Sequence, residues 1–136
     1  MPFSLNKFDS FPLALAQKKH DLTADQLEIA LTLSSPNSGN QQLSDISQIS
    51  YTNLSARTLV ILSATQTSGI FKLLLQDKIL YASGIVAPFR YIVVFNQTST
   101  NDLLIGWYDY GAEVNLQNNE TFTIDFDDVA GFLTFG

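Results

Sequence analysis

Three carboxylates lie close together in the segment DFDD at residues 125–128, a composition that could bind calcium. Calcium takes about six to eight oxygen ligands, commonly from a fixed loop pattern such as that of the EF-hand. No segment of that pattern is present in the sequence. Acidic residues are also common where a strand ends in a turn, so we expect no metal site here.

His20 is the single histidine, which limits the catalytic and metal-binding sites that the chain could build. It follows Lys18 and Lys19 in a polar stretch, so we expect its side chain to be exposed to solvent. The sequence has no cysteine, no G-x-S-x-G motif and no glycine-rich phosphate-binding loop. We therefore predict that the protein is not an enzyme, has no catalytic residues and binds no cofactor.

Arg90 lies in an otherwise apolar segment, FRYIVVFN at residues 89–96. A buried arginine without a partner costs several kcal/mol, so we expect an acidic side chain beside it. Asp109, in the next predicted strand, is the first candidate. The alternative is that Arg90 faces a subunit interface.

The segment LLIGWYDYG at residues 103–111 concentrates aromatic side chains. Rings exposed on a strand could stack on sugars, whereas the alternation of the segment predicts a core and interface strand. The inward set would be Leu103, Ile105 and Trp107, and the outward set Tyr108 and Tyr110. We expect the outward tyrosines to face a second sheet or a partner subunit. We expect Gly106 where a facing ring approaches the backbone closely.

The elements that would position these residues are mostly short strands. Residues 27–33 alternate apolar with polar side chains, which predicts a strand with one solvated face. Residues 58–64 and 70–76 flank TQTSG as a hairpin, and residues 89–96 are apolar on both faces, as in a central strand. Eight or nine strands predict an all-β fold, an antiparallel β-sandwich or barrel-like domain.

The amino-terminal residues have a different pattern. Residues 1–12 have no regular period and contain two prolines, so we predict an extended arm that packs on a neighbouring protomer or another protein. Its apolar side chains are candidate interaction residues: Phe3, Leu5, Phe8 and Phe11. Residues 13–20 could form one short helix, and residues 13–136 then form a single domain.

Composition excludes several classes of partner. The net charge is −6 and the seven basic residues are scattered, which argues against nucleic acid. No run of about 18 apolar residues predicts a membrane span, and the first ten residues do not resemble a signal peptide. We therefore expect synthesis in a cytoplasm, and in that of a bacterium. The charged share is only 15%, and 42 Ser, Thr, Asn and Gln residues replace the missing charge.

The segment PFRYIVVFNQTSTNDLLIGWYDYGAEVNLQNNETFTIDF, residues 88–126, resembles a group of small virion proteins of tailed bacteriophages. Those proteins have a PFRY strand, a short polar loop, the motif LIGWWDYG and a hairpin that ends in GETFTVDF. Here Tyr108 replaces a common second Trp, and Asn119 stands where Gly is usual, so Asn119 has to adopt the turn geometry. The segment LAQKKHDLTADQLEIALT resembles the amino-terminal part of those proteins more loosely, and the likeness covers most of residues 13–135.

The resemblance implies a non-enzymatic building block of a phage particle. The type of virion protein that it implies is a capsid decoration, or cement, protein. Such a protein binds the major capsid protein as a homo-oligomer and lies on the capsid surface of the virion. A tail-associated virion protein and a receptor- or glycan-binding module are the alternatives.

Overall fold

In the computed structural model, residues 4–136 are described, and they form nine β-strands and one α-helix. The strands are β1 (Asn6–Lys7), β2 (Leu27–Thr32), β3 (Ile61–Thr67), β4 (Ile70–Leu75), β5 (Lys78–Tyr81), β6 (Phe89–Asn96), β7 (Leu103–Val114), β8 (Thr121–Ile124) and β9 (Leu133–Phe135). The helix α1 spans Phe11–Ala16, and a 3₁₀ turn spans Leu43–Asp45. The all-β prediction is confirmed.

Every strand pair within the described residues is antiparallel, and the strands form three sheets. The four-stranded sheet has the order β1-β7-β6-β2, the three-stranded sheet β3-β4-β9, and the two-stranded sheet β5-β8. The main core draws buried residues from all three: Ile29, Ile92 and Ile105 from the first, Leu73 and Leu133 from the second, Leu80 and Ile124 from the third. The small sheets therefore pack against one face of the large one, as the layers of a sandwich do.

A second, smaller core covers the opposite face of the four-stranded sheet. Its sheet residues are Ala30, Val93, Phe95 and Leu104, and the residues that cover them are Phe8 and Ile46. The covering loop is fixed by backbone hydrogen bonds. Leu104 N donates to the Gln41 carbonyl and Ile49 N to the Leu31 carbonyl, both at 3.0 Å.

This second core corrects one prediction and supports another. Strand β2 was expected to have a solvated face, but Ala30 and Thr32 on that face are buried, whereas Leu33, expected on the apolar face, lies beyond the strand and is 46% exposed. Strand β6 lies between β7 and β2 and is buried on both faces, as its doubly apolar sequence predicted. A chain without a cover for the second face would leave Val93 and Phe95 in water.

The prediction of an arm that reaches a neighbour is wrong for the described part of residues 1–12. Strand β1 pairs with β7, with Asn6 opposite Trp107, and Phe8 and Phe11 are each only 1% exposed inside the chain's own cores. Leu5 is half-buried against the main core. Phe3 lies outside the described residues. The apolar spacing looked irregular because these side chains enter two different cores.

Gly106 lies in the part of β7 that pairs with β1. A Cβ at this position would lie 2.8 Å from the Asn6 carbonyl oxygen and 2.9 Å from Leu5 Cδ1. The close approach was predicted, but it comes from the backbone and side chain of β1 rather than from an aromatic ring. Glycine therefore lets the amino-terminal segment join the sheet.

Two tight turns agree with their sequences. Ser68 and Gly69 have φ values of 52° and 81° and join β3 to β4, so the predicted hairpin is present, but Thr65–Thr67 of the predicted loop TQTSG belong to β3. Asn119 has a φ of 68°, so it adopts the left-handed conformation for which Gly is usual. Asparagine tolerates this region better than most residues.

Candidate functional site

Arg90 and Asp109 form a two-pronged ion pair across β6 and β7. Arg90 Nε donates to Asp109 Oδ1 at 2.8 Å and Nη2 donates to Oδ2 at 3.1 Å, so the predicted pairing is confirmed. The burial that motivated it is not found, because both side chains are about two-fifths exposed, at 39% and 40%. The hydrogen bonds from Arg90, with that from Gly111 N at 2.7 Å, lower the pKa of Asp109. The pair fixes a surface strand junction and leaves neither group as a free acid or base.

The aromatic strand does not alternate as predicted. Ile105 interrupts the register between β6 and β7, where Val94 lies opposite Gly106 but Phe95 lies opposite Leu104. This bulge turns both Ile105 and Tyr108 into the main core, while Trp107 is half-buried against the second core. A β-bulge shifts the side-chain alternation by one residue, and residue types alone do not show where it falls.

Tyr108 faces the small sheets across the main core, which is the second-sheet alternative of the prediction, and its burial makes it unavailable as an interaction residue. It is 7% exposed and its ring lies 6.2 Å from that of Phe126 and 6.4 Å from that of Phe132. Burial raises the pKa of Tyr108, so its hydroxyl stays protonated. Tyr110 is 37% exposed and packs edge-on against Phe122 at 5.1 Å, so one of the two predicted tyrosines remains at the surface.

His20 is buried, and the prediction of a solvent-exposed imidazole is wrong. Its ring is 6% exposed and lies 5.2 Å from that of Phe11, because the chain turns at Lys18 (φ 63°) after α1 and brings residues 19–22 back onto the domain. Burial lowers the pKa of His20, and the nearby charge of Asp25 opposes that shift. The two lysines before His20 made the sequence look solvent-exposed, but contacts with residues distant in sequence bury the imidazole.

Asn96, at the end of β6, fixes the protonation pattern of His20. Its Oδ1 accepts hydrogen bonds from Thr98 N at 3.0 Å and Ser99 N at 3.2 Å, so its Nδ2 must be the donor on the other side. Nδ2 donates to Asp25 Oδ2 at 2.7 Å and to His20 Nδ1 at 2.9 Å. The proton of the neutral imidazole is therefore on Nε2. Nε2 is buried and has no hydrogen-bond partner among residues 4–136.

The acidic segment at 125–128 acts as a turn. Asp127 Oδ1 accepts hydrogen bonds from Val129 N at 2.9 Å and Ala130 N at 2.8 Å, and these bonds lower the pKa of Asp127. Within the described part of the chain, no three His, Cys, Asp or Glu side chains are grouped closely enough to hold a metal ion.

The four outward-facing residues within strands β5 and β8 are uncharged. Ile79 and Tyr81 point outward from β5 and are 41% and 57% exposed. Their partners across the strand pair are the exposed Thr123 and Thr121 of β8. We call these four residues the ribbon face. The alternation of KILY and TFTI carries the signal for this face, which was not among the predicted sites.

Comparison with known proteins identifies no relative: no family model, no curated protein and no solved structure matches the chain. Among the residues described, no helix has the length and apolar character needed to cross a membrane.

Proposed function

We propose that this chain is a non-enzymatic structural protein of a bacteriophage particle, a decoration protein that binds the major capsid protein and that uses the ribbon face for docking. The observation that carries the proposal is the uncharged ribbon face, where Ile79 and Tyr81 stand exposed beside two threonines. Exposed apolar side chains grouped on a strand pair are typical of protein contact surfaces, and tyrosine is enriched at their centres.

The resemblance of residues 88–126 to phage virion proteins supports the same role. The segment that carries it forms the paired strands β6 and β7, joined by the Arg90–Asp109 ion pair, and then β8, which supplies half of the ribbon face. Residues 88–126 therefore form strands of the domain that carries the proposed contact surface. Homo-oligomer formation on the capsid lattice is part of this proposal.

The first experiment counts the copies of the chain in purified virions of the phage that encodes it, by quantitative mass spectrometry of separated heads and tails. A decoration protein gives hundreds of copies on heads, whereas a tail protein gives a handful on tails. A receptor- or glycan-binding role gives tail copies and binding to host-cell surfaces. Either of the last two results contradicts the capsid role.

The second experiment tests the ribbon face with a matched pair of variants. Tyr81→Glu places a charge in the ribbon face and should abolish binding to heads that lack the protein. Thr65→Glu places the same charge on exposed strand β3, outside the ribbon face, and should bind as the wild type does. Equal binding of both variants would show that docking uses another surface.

A further inference from the structure

The side chains around the turn after α1 form an apolar groove of about 550 Å³, within the size range of small-molecule sites, roughly 300–1,000 Å³. Its apolar lining comes from Leu15, Leu22, Phe71 and Phe135, and its polar lining from Lys18, His20, Asp21 and Thr23. The rings of Phe71 and Phe135 are stacked with their centroids 5.7 Å apart, and both are only partly buried. The groove belongs to none of the surfaces proposed for capsid binding.

The groove has one unsatisfied hydrogen-bond donor in its lining. His20 contributes to the lining whereas Asn96, which occupies the Nδ1 edge of the imidazole, does not. The Nε2–H is on the edge turned away from Asn96, and no described residue accepts it. A buried donor without an acceptor is destabilising, and a ligand that brings an acceptor would remove that cost.

The charges at the groove favour a neutral ligand. Lys18 and Asp21 bring one positive and one negative charge, and Asp25 lies behind His20 through Asn96. Asp21 Oδ1 already accepts hydrogen bonds from Thr23 N at 3.0 Å and Thr23 Oγ1 at 2.5 Å. An anion would gain from Lys18 but would be repelled by the two carboxylates. A cation would find no free acceptor at His20.

We propose that this groove binds an uncharged aromatic molecule that carries one carbonyl acceptor. The aromatic ring packs against Phe71 and Phe135, and the carbonyl oxygen accepts the hydrogen bond of His20 Nε2–H. Because Nε2 is buried, a side chain beside the imidazole has to move before the carbonyl oxygen of the ligand can reach it. The inference is independent of the capsid role, which uses the ribbon face.

The probes are acetophenone, ethylbenzene and benzoate, which share a ring and differ in the acceptor and the charge. The protein has one histidine, so the imidazole signals in an NMR titration report on His20 alone. Acetophenone should shift the His20 signals and bind about three- to tenfold more tightly than ethylbenzene, the gain expected from one hydrogen bond. Benzoate should bind more weakly than acetophenone.

Two variants isolate the hydrogen bond from the groove. His20→Phe keeps a ring at this position and should bind acetophenone and ethylbenzene equally, observed through the amide signals of residues 71 and 135. Lys19→Ala, next in the chain but outside the groove lining, should keep the wild-type preference. The proposal is overturned if acetophenone leaves the His20 signals unchanged, if the wild type does not prefer it over ethylbenzene, or if benzoate binds best.

Discussion

The Phe8 ring packs against Trp107, with 4.6 Å between the ring centroids and 45° between the ring planes. This contact closes the second core, because Phe8 is 1% exposed and covers the face of the sheet that the two small sheets leave open. The amino-terminal segment is therefore part of the folded domain.

Phe8→Ala should lower the free energy of unfolding by about 3–5 kcal/mol, as large-to-small changes in cores do. Trp107 is the only tryptophan, so its fluorescence reports directly on this contact. Urea unfolding followed by that fluorescence measures the change. Phe8→Leu is the control and should cost much less, since it keeps most of the apolar volume. A Phe8→Ala protein as stable as the wild type would mean that the second core adds nothing to folding.

Arg90 and Asp109 should show a small coupling in a double-mutant cycle, because an ion pair that is two-fifths exposed is screened by water. Arg90→Met and Asp109→Asn, alone and together, are compared by thermal unfolding. The coupling should shrink in about 1 M salt, where the Debye length falls to about 3 Å. Additive single effects at low salt would mean that the pair contributes nothing.

The same pair has a defined pH dependence. The pKa of Asp109 is lowered from its ordinary value of 3.8, so its stabilising effect is complete above that value. It is lost as the pH falls from 3.8 through the lower pKa of the folded state. The coupling should therefore stay constant from pH 7 down to about 5 and disappear only in stronger acid.

His20 should make stability depend on pH in a higher range. Its pKa is lowered by burial from 6.5, so the folded protein binds this proton less readily than the unfolded chain. The free energy of unfolding should be constant above pH 6.5 and decrease as the pH falls from 6.5 to the folded-state pKa, by at most about 1.4 kcal/mol per pH unit. Urea unfolding between pH 5 and about 8 measures the slope.

His20→Phe is the control, since it has no group that titrates in this range. Its free energy of unfolding should not change between pH 6.5 and about 5, where the carboxylates are still ionised. A slope of the same size in the variant would assign the pH dependence to other groups and contradict the burial of a neutral imidazole.

The sequence by itself predicted most of the strands, although β3 (Ile61–Thr67) is shifted from the predicted segment 58–64 and β1 was not predicted as a strand. Residues 89–96 are apolar at nearly every position, which only a strand covered on both faces accommodates, and they form the central strand β6. A hairpin was predicted at β3 and β4, but its loop is shorter than the predicted TQTSG segment, since only Ser68 and Gly69 lie between the two strands. The pairing of Arg90 with Asp109 was predicted from a burial of Arg90 that the structure does not show, and it held because the two residues lie on neighbouring strands.

Only the tertiary structure decided what covers each face. Phe8 and Ile46 reach the second face of the sheet from distant parts of the chain, and the bulge at Ile105 moves Tyr108 into the main core. The return of the chain after Lys18 buries His20 against Asn96. Local periodicity fixes the backbone because neighbouring side chains share a strand or a helix face. Burial depends on contacts between residues far apart in sequence, so His20, next to two lysines, becomes a core residue.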